Sequence, residues 1–309
     1  MNDFGTRAIQ IAQQQFARGQ IAAAIDSLVG LLSEDPDNAY AHGLLALCLL
    51  KQHRLYAAEL EARRALEINP ESVLAHQATA GVAVAQRKFK KALTYLTAAR
   101  ELNPTSAAVY DGLSRLYLAW GRDDEALEHN RRACELDPDD HDYLALRAWL
   151  ELQSGNSEQA RRHATEVLEI DPEHVEALCV LGHCELRDGN TRAAREHAVW
   201  AVQLEPTSRE ALTLLSAVKA RQSWLLGVWW RFQSFVSSGS RTRAILLLLS
   251  IFLLYRVAMI ALDESGHDEL LGPLSLAWLG FCAYTWFAPT LFWRSVKREL
   301  EQVRLRPDY

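Results

Sequence analysis

Six short stretches decide the fold: EDPDN at 34–38, INPES at 68–72, LNPTS at 102–106, LDPDD at 136–140, IDPEH at 170–174 and LEPTS at 204–208. Their prolines, Pro36, Pro70, Pro104, Pro138, Pro172 and Pro206, stand 34 residues apart at every interval. Each has Asp, Asn or Glu before it and a polar residue soon after, which is how one helix stops and the next begins. Proline disfavours helical geometry in the residue before it and is tolerated in a first helical turn. A fixed period of this length is the signature of a repeat architecture, built from one supersecondary unit used many times.

Working outward, a small residue lies 12 positions before each proline: Ala24, Ala58, Ala92, Ala126, Ala160 and Ala194. A second lies five before it at Ala65, Ala99, Ala133 and Ala201, with Leu31 and Val167 departing. Small side chains are needed where two helices of a hairpin cross closely. Between the helices come FARGQ, KQHRLY, QRKFKK, AWGRDD, QSGNSE and RDGNT, four of the six containing glycine, which suits a helix C-terminus. The pattern predicts first helices near 39–52, 73–86, 107–120, 141–154 and 175–188. It predicts second helices near 55–68, 89–102, 123–136, 157–170 and 191–204, and a closing helix over 209–222. The first repeat is the weakest, with Gln13 and Gln14 where an apolar stripe is expected, and a polar terminal repeat is normal in a stack.

These residues resemble the tetratricopeptide repeat family over roughly 5–222. Leu45 with Ala46, Leu113 with Tyr117 and Leu181 with Gly182 are good matches. The resemblance implies an all-α, right-handed solenoid of six repeats plus a capping helix over 1–222, with the first helix of each hairpin lining a concave groove. Transferred here, the groove positions are Tyr40, Leu47, Leu50, Leu74, Gln77, Gly81, Val84, Asp111, Arg115, Leu118, Trp149, Leu152 and His183. Gly43 and Gly81 permit close approach. Family members that grip chaperone carboxylates use Lys, Asn and Arg where this chain has Ile9, Gln13, Leu44, Leu74 and Ala78. A rather apolar groove suits an amphipathic helix or an extended apolar peptide.

The C-terminal third reads differently. Residues 244–262 (AILLLLSIFLLYRVAMIAL) and 274–293 (LSLAWLGFCAYTWFAPTLFW) are each long enough to cross a hydrocarbon core of about 30 Å. They are expected to form a transmembrane hairpin, 244–293, closed by DESGHDELLGP. Arg231, Arg241 and Arg243 precede it and Arg294, Lys297, Arg298, Arg304 and Arg306 follow it, while the connecting loop is acidic. The positive-inside rule places both termini and the repeat domain in the cytoplasm of an integral two-span protein. The bias of twenty-seven arginines to six lysines suggests a bacterial chain, hence an inner membrane. No secretory signal opens the sequence.

Residues 223–243 carry WLLGVWWRFQSFV (224–236) and then SSGSR. The segment reads as a degenerate terminal hairpin, as an interfacial helix on the bilayer, or as both. Trp224, Trp229, Trp230, Arg241, Arg243, Arg256 and Arg294 are the expected membrane-interface residues. Arg256, inside the first span, either snorkels outward or pairs with a partner or lipid. The tail 294–309, RSVKRELEQVRLRPDY, continues as a charged helix.

Composition limits the chemistry. The net charge is −6 and no dense basic run occurs in the first 220 residues, which argues against nucleic acid. Glycine-rich phosphate loops, GxSxG, HExxH and CxxC are all missing. His174, Cys179, His183 and Cys184 are the nearest thing to a metal cluster, and the repeat pattern already accounts for them. Five cysteines, an odd number, fall in apolar helical patterns and read as buried thiols. The expectation is a non-enzymatic adaptor without cofactor. It binds a helical or extended apolar segment of a protein partner in its groove and recruits it to a membrane complex in the lipid bilayer. Homo-oligomers are a further possibility. The alternative is a structural subunit of a membrane transport or secretion machine that uses the hairpin.

Overall fold

The computed structural model describes residues 3–222, 241–264 and 268–280, together with 282–284, 287 and 294. The described residues form helices and turns only. The helices are α1 (Asp3–Ala17), α2 (Ile21–Glu34), α3 (Ala39–Lys51), α4 (Leu55–Ile68), α5 (Val73–Ala85), α6 (Phe89–Leu102), α7 (Ala107–Trp120), α8 (Asp123–Leu136), α9 (His141–Gln153), α10 (Ser157–Ile170), α11 (Val175–Arg187), α12 (Thr191–Leu204), α13 (Arg209–Gln222) and α14 (Arg241–Glu264). From α3 to α13 each boundary falls within one residue of the one the proline ladder predicts. The chain divides into two compact units, Met1–Val167 and Leu168–Tyr309.

Each 34-residue period carries its own start and stop. Except at Ser106, the residue two after the proline caps the next helix with its side chain: Asn38 Oδ1 accepts from the Ala41 N–H at 3.0 Å. Ser72 Oγ accepts from Ala75 at 3.3 Å, Asp140 Oδ1 from Asp142 at 2.9 Å, and Ser208 Oγ from Ala211 at 3.3 Å. Such a cap satisfies one of the four N–H groups that a helix start leaves open and contributes about 1 kcal/mol. The hairpin turns share one device. The amides of Gln20, Arg54, Lys88, Arg122, Asn156 and Asn190 donate to the carbonyls of Gln15, Leu49, Ala83, Tyr117, Glu151 and Glu185, five residues back. That closure needs a positive φ at the residue before the donor, and it occurs at 19, 53, 87, 121, 155 and 189.

The six alanines at the hairpin crossings are fully buried, and so are the residues five before the prolines, Leu31 and Val167 included. In the first unit α3 packs on α4, α5 on α6 and α7 on α8, while the first helices stack as α1 on α3, α3 on α5 and α5 on α7. Leu28, Leu45, Leu49, Ala58, Ala62 and Val82 share one core and Leu96, Leu113 and Leu116 another. Each buried leucine contributes roughly 1.5–3 kcal/mol by leaving water. Of α1, Ala12 is fully buried, which fits the polar character of that helix. In the second unit α11, α12 and α13 close around Leu178, Ala198, Leu214 and Leu215.

The C-terminal reading requires a correction. Among the described residues no helix is long and apolar enough to cross a membrane. Helix α14 contains 244–262, but its longest charge-free run, 244–255, rises about 18 Å before Arg256, against roughly 30 Å of hydrocarbon. Within 274–293 the continuous described helix ends at 280, and Tyr284 packs against the core of α11–α13. The placement as an integral two-span protein, with termini and repeat domain on the cytoplasmic side of a bacterial inner membrane, is therefore overturned. Arg256 and Arg294 are exposed, and Tyr255 stacks on Trp278 with ring centroids 4.6 Å apart. Trp224, Trp229, Trp230, residues 237–240 and all but the first residue of the tail 294–309 lie outside the described residues, as do the side chains of Arg241 and Arg243.

Candidate functional site

The layer of first helices in the first unit carries twelve of the thirteen expected groove residues; His183 belongs to α11 in the second unit. Their environments differ. Tyr40, 37% exposed, sits near the start of α3, where its hydroxyl accepts a hydrogen bond from the Gln13 amide of α1. Gln13, polar in a stripe expected to be apolar, thus links the first two repeats. Leu47, Leu50 and Leu74 are half-buried against the core of α1–α5. Leu74 occupies the space over Gly43 and Leu50 the space over Gly81, where an added Cβ would lie 3.2 and 2.9 Å from them. The close approach that these glycines allow is between neighbouring repeats. Val84 packs against the core of α5–α7 and Leu118 against that of α8 and α9, Gln77 and Trp149 are half-buried, and Leu152 is buried.

The polar centre of the layer is Asp111, four residues before Arg115 on α7. Arg115 Nε donates to both carboxylate oxygens, at 3.1 and 2.9 Å, with the carboxylate side chain 16% exposed and the arginine 41%. A half-desolvated pair of this kind orients two charges toward the same surface. Tyr143, on α9, feels the same carboxylate. Burial, then Asp140 and Asp111, push its hydroxyl well above the ordinary tyrosine range, so it stays a hydrogen-bond donor. His183 is half-buried, and burial, with Arg187 adding, lowers its pKa.

The sequence reading missed a second polar group. In α9 the positions equivalent to Leu113 and Tyr117 of α7 are Arg147 and Glu151. Glu151 is fully buried; its Oε2 accepts from Asn156 Nδ2 at 2.8 Å, and Arg131 Nη2 stands 4.0 Å from Oε1. His163 of α10 is 5% exposed, and its Nδ1 lies 3.7 Å from Glu166 Oε2. Burial, then Arg147 and Arg162, lower its pKa against the opposing pull of Glu166. Asn130 Nδ2 donates to the Tyr143 carbonyl at 2.9 Å and ties α8 to α9. The register itself holds the signal: two charged residues at positions that are apolar or aromatic in neighbouring repeats.

Cys48, Cys179 and Cys184 are buried, Cys134 is half-buried and Cys282 is exposed, with no disulfide among them. Burial pushes the Cys48 thiol up to about 11 and the Cys179 thiol up to about 12, which leaves both protonated and unreactive at neutral pH. Among the described residues no group of three or more His, Cys, Asp or Glu is placed to hold a metal ion.

Two family models described as tetratricopeptide repeat match the chain, one over residues 15–81 and 83–150, the other over 146–218. No curated protein matches it. Among solved structures, a thermophilic protein of this repeat type from Thermus thermophilus is similar, with a TM-score of 0.53 and 21% identity over 59% of this chain and 99% of that one. Another, from Parabacteroides merdae, gives 0.55 at 17% identity, covering 70% and 84%. The Cut9–Hcn1 assembly of the APC/C gives 0.57 at 13% identity, covering 69% of this chain and 42% of that one.

Proposed function

Because the chain belongs to the tetratricopeptide repeat family, we propose that it is a non-enzymatic adaptor whose layer of first helices binds a segment of a partner protein. Proteins of this family are generally scaffolds for protein–protein interaction, and the buried, protonated thiols at Cys48 and Cys179 fit that class. The observation that carries the reading is the mixture on one layer. Half-buried Leu47 and Leu50 of α3, Val84 of α5, Leu118 of α7 and Trp149 of α9 share the layer of first helices with the Asp111–Arg115 pair of α7. An apolar surface with one oriented ion pair matches an amphipathic helix or an extended apolar peptide: apolar anchors supply affinity and the pair fixes register. Tyr40 of α3 and Trp149 of α9 mark the reach of the site in the first unit.

The test is affinity purification of the full chain followed by mass spectrometry, with the double variant Trp149→Ala, Arg115→Ala beside it. Both side chains are partly exposed, so the variant should keep its helical circular dichroism. The reading predicts that proteins recovered with the wild type are lost from the variant. Recovery of the same partners at the same yield would falsify it.

A further inference from the structure

The hairpin turns share one backbone shape but not one residue. Glycine holds the positive-φ position at 19, 121, 155 and 189, whereas His53 and Arg87 hold it in two successive turns, each at φ 58°. A Cβ at Gly121 would meet nothing within 4 Å, so a Cβ fits the turn and the penalty lies in the backbone. Glycine makes this turn without that penalty, and a strained non-glycine residue points to a role for its side chain.

Both strained turns are the basic ones. Lys51, His53 and Arg54 form one and Arg87, Lys88, Lys90 and Lys91 the next, and all seven are exposed. They include four of the chain's six lysines, and neither 51–58 nor 87–100 contains a carboxylate. Stacking of α3 on α5 brings the two turns to one edge of the first unit, where Gln86 Nε2 donates to Glu59 Oε2 at 2.8 Å. Arg122, in the following turn, is paired with Glu125 and ends the ridge. In an acidic chain, six full positive charges thus share one edge. A recess of about 480 Å³ continues from Lys90 along the outer face of α6, lined by Leu93, Thr94, Thr97, Ala98 and Glu101.

We propose that this ridge docks an acidic segment of a partner protein, its carboxylates on the two turns and an apolar side chain in the α6 recess. The chemistry favours peptide over single-stranded nucleic acid, which binds by stacking bases on free aromatic faces. Phe89 has Arg87 over its ring, 5.7 Å from the centroid, and is stacked with Trp120. Tyr95 carries Lys91 at 5.9 Å and contacts His76. The site is separate from the layer of first helices and does not depend on it.

The test uses the full chain and a fluorescein-labelled decapeptide of glutamates with two central leucines, read by anisotropy at low salt. The expected result is binding that weakens as salt rises, no binding of the glutamine counterpart, and an affinity at least about tenfold lower for Lys88→Glu, Lys90→Glu, Lys91→Glu. Arg87→Gly should bind several-fold more weakly while unfolding at a higher temperature, which guards against a triple variant that fails to fold. Trp149→Ala should bind like the wild type. Unchanged binding by the triple variant or by Arg87→Gly, equal binding of the glutamine peptide, tighter binding of a ten-nucleotide uridine RNA, or loss of binding in Trp149→Ala would each overturn the proposal.

Discussion

The hairpins α3–α4 and α9–α10 occupy the same register and hide opposite interiors. In the first, Leu45 and Leu49 of α3 meet Ala58 and Ala62 of α4 in an apolar core, and a polar link across the pair is the half-buried contact of His42 with Glu61, at 2.6 Å. In the second, the equivalent positions of α9 carry Arg147 and Glu151, and His163 lies buried in α10. Both hairpins keep a fully buried crossing alanine, Ala58 or Ala160, and both close their turns with the same five-residue bond. The geometry of a repeat therefore rests on its crossing and its turn. What fills the space between is free to vary, provided buried charges find partners.

That contrast can be broken most severely on its apolar side. Leu45→Ala should cost about 2–5 kcal/mol, since a cavity adds to the lost transfer energy, and chemical denaturation would measure it. On the polar side, Glu151→Ala should cost about 1–3 kcal/mol, because it strips the buried end of the Asn156 clamp. Glu151→Leu should recover most of that loss, as an apolar residue of similar size often replaces a buried charge without penalty; if it destabilised as much as alanine, the hairpin would depend on the charge itself. A smaller effect sets the two interiors apart by pH. Folded His163 holds its proton less tightly than an ordinary histidine, so below about pH 6.5 the unfolded chain binds more protons. Stability should be full above that value, decline as the pH falls toward the depressed folded pKa and then level off, and His163→Leu should flatten the decline in melts between pH 7.5 and 5. The smallest expected change tests the shared turn: Gly121→Ala should cost about 1 kcal/mol, since the penalty is backbone strain alone.

The proline ladder made the helix order and nearly every boundary legible, because proline, cap and crossing alanine act locally and so repeat in the sequence wherever they act. Placement against neighbours was less legible. Leu50 and Leu74 read as groove residues, yet each also fills the space over a glycine of an adjacent repeat. Glu151 and His163 escaped notice because a helical stripe reports which face turns inward and not which charges meet there. The stretch after residue 243 misled for a related reason. Hydropathy counts apolar residues without saying what they touch, and Tyr284 packs against Leu214's cluster while Tyr255 meets Trp278. The basic ridge was invisible as a run of residues, since Lys51 and Lys91 come to one edge only when helices 34 residues apart lie side by side.

The turn closures at 20, 54, 88, 122, 156 and 190 are made within each hairpin, by an amide and a carbonyl five residues apart. A module that carries its own punctuation can be copied or deleted as a block of 102 nucleotides without rewriting its neighbours. Such an array can change length by whole blocks, while point substitution writes a separate text, such as Arg87 or Glu151, into each copy.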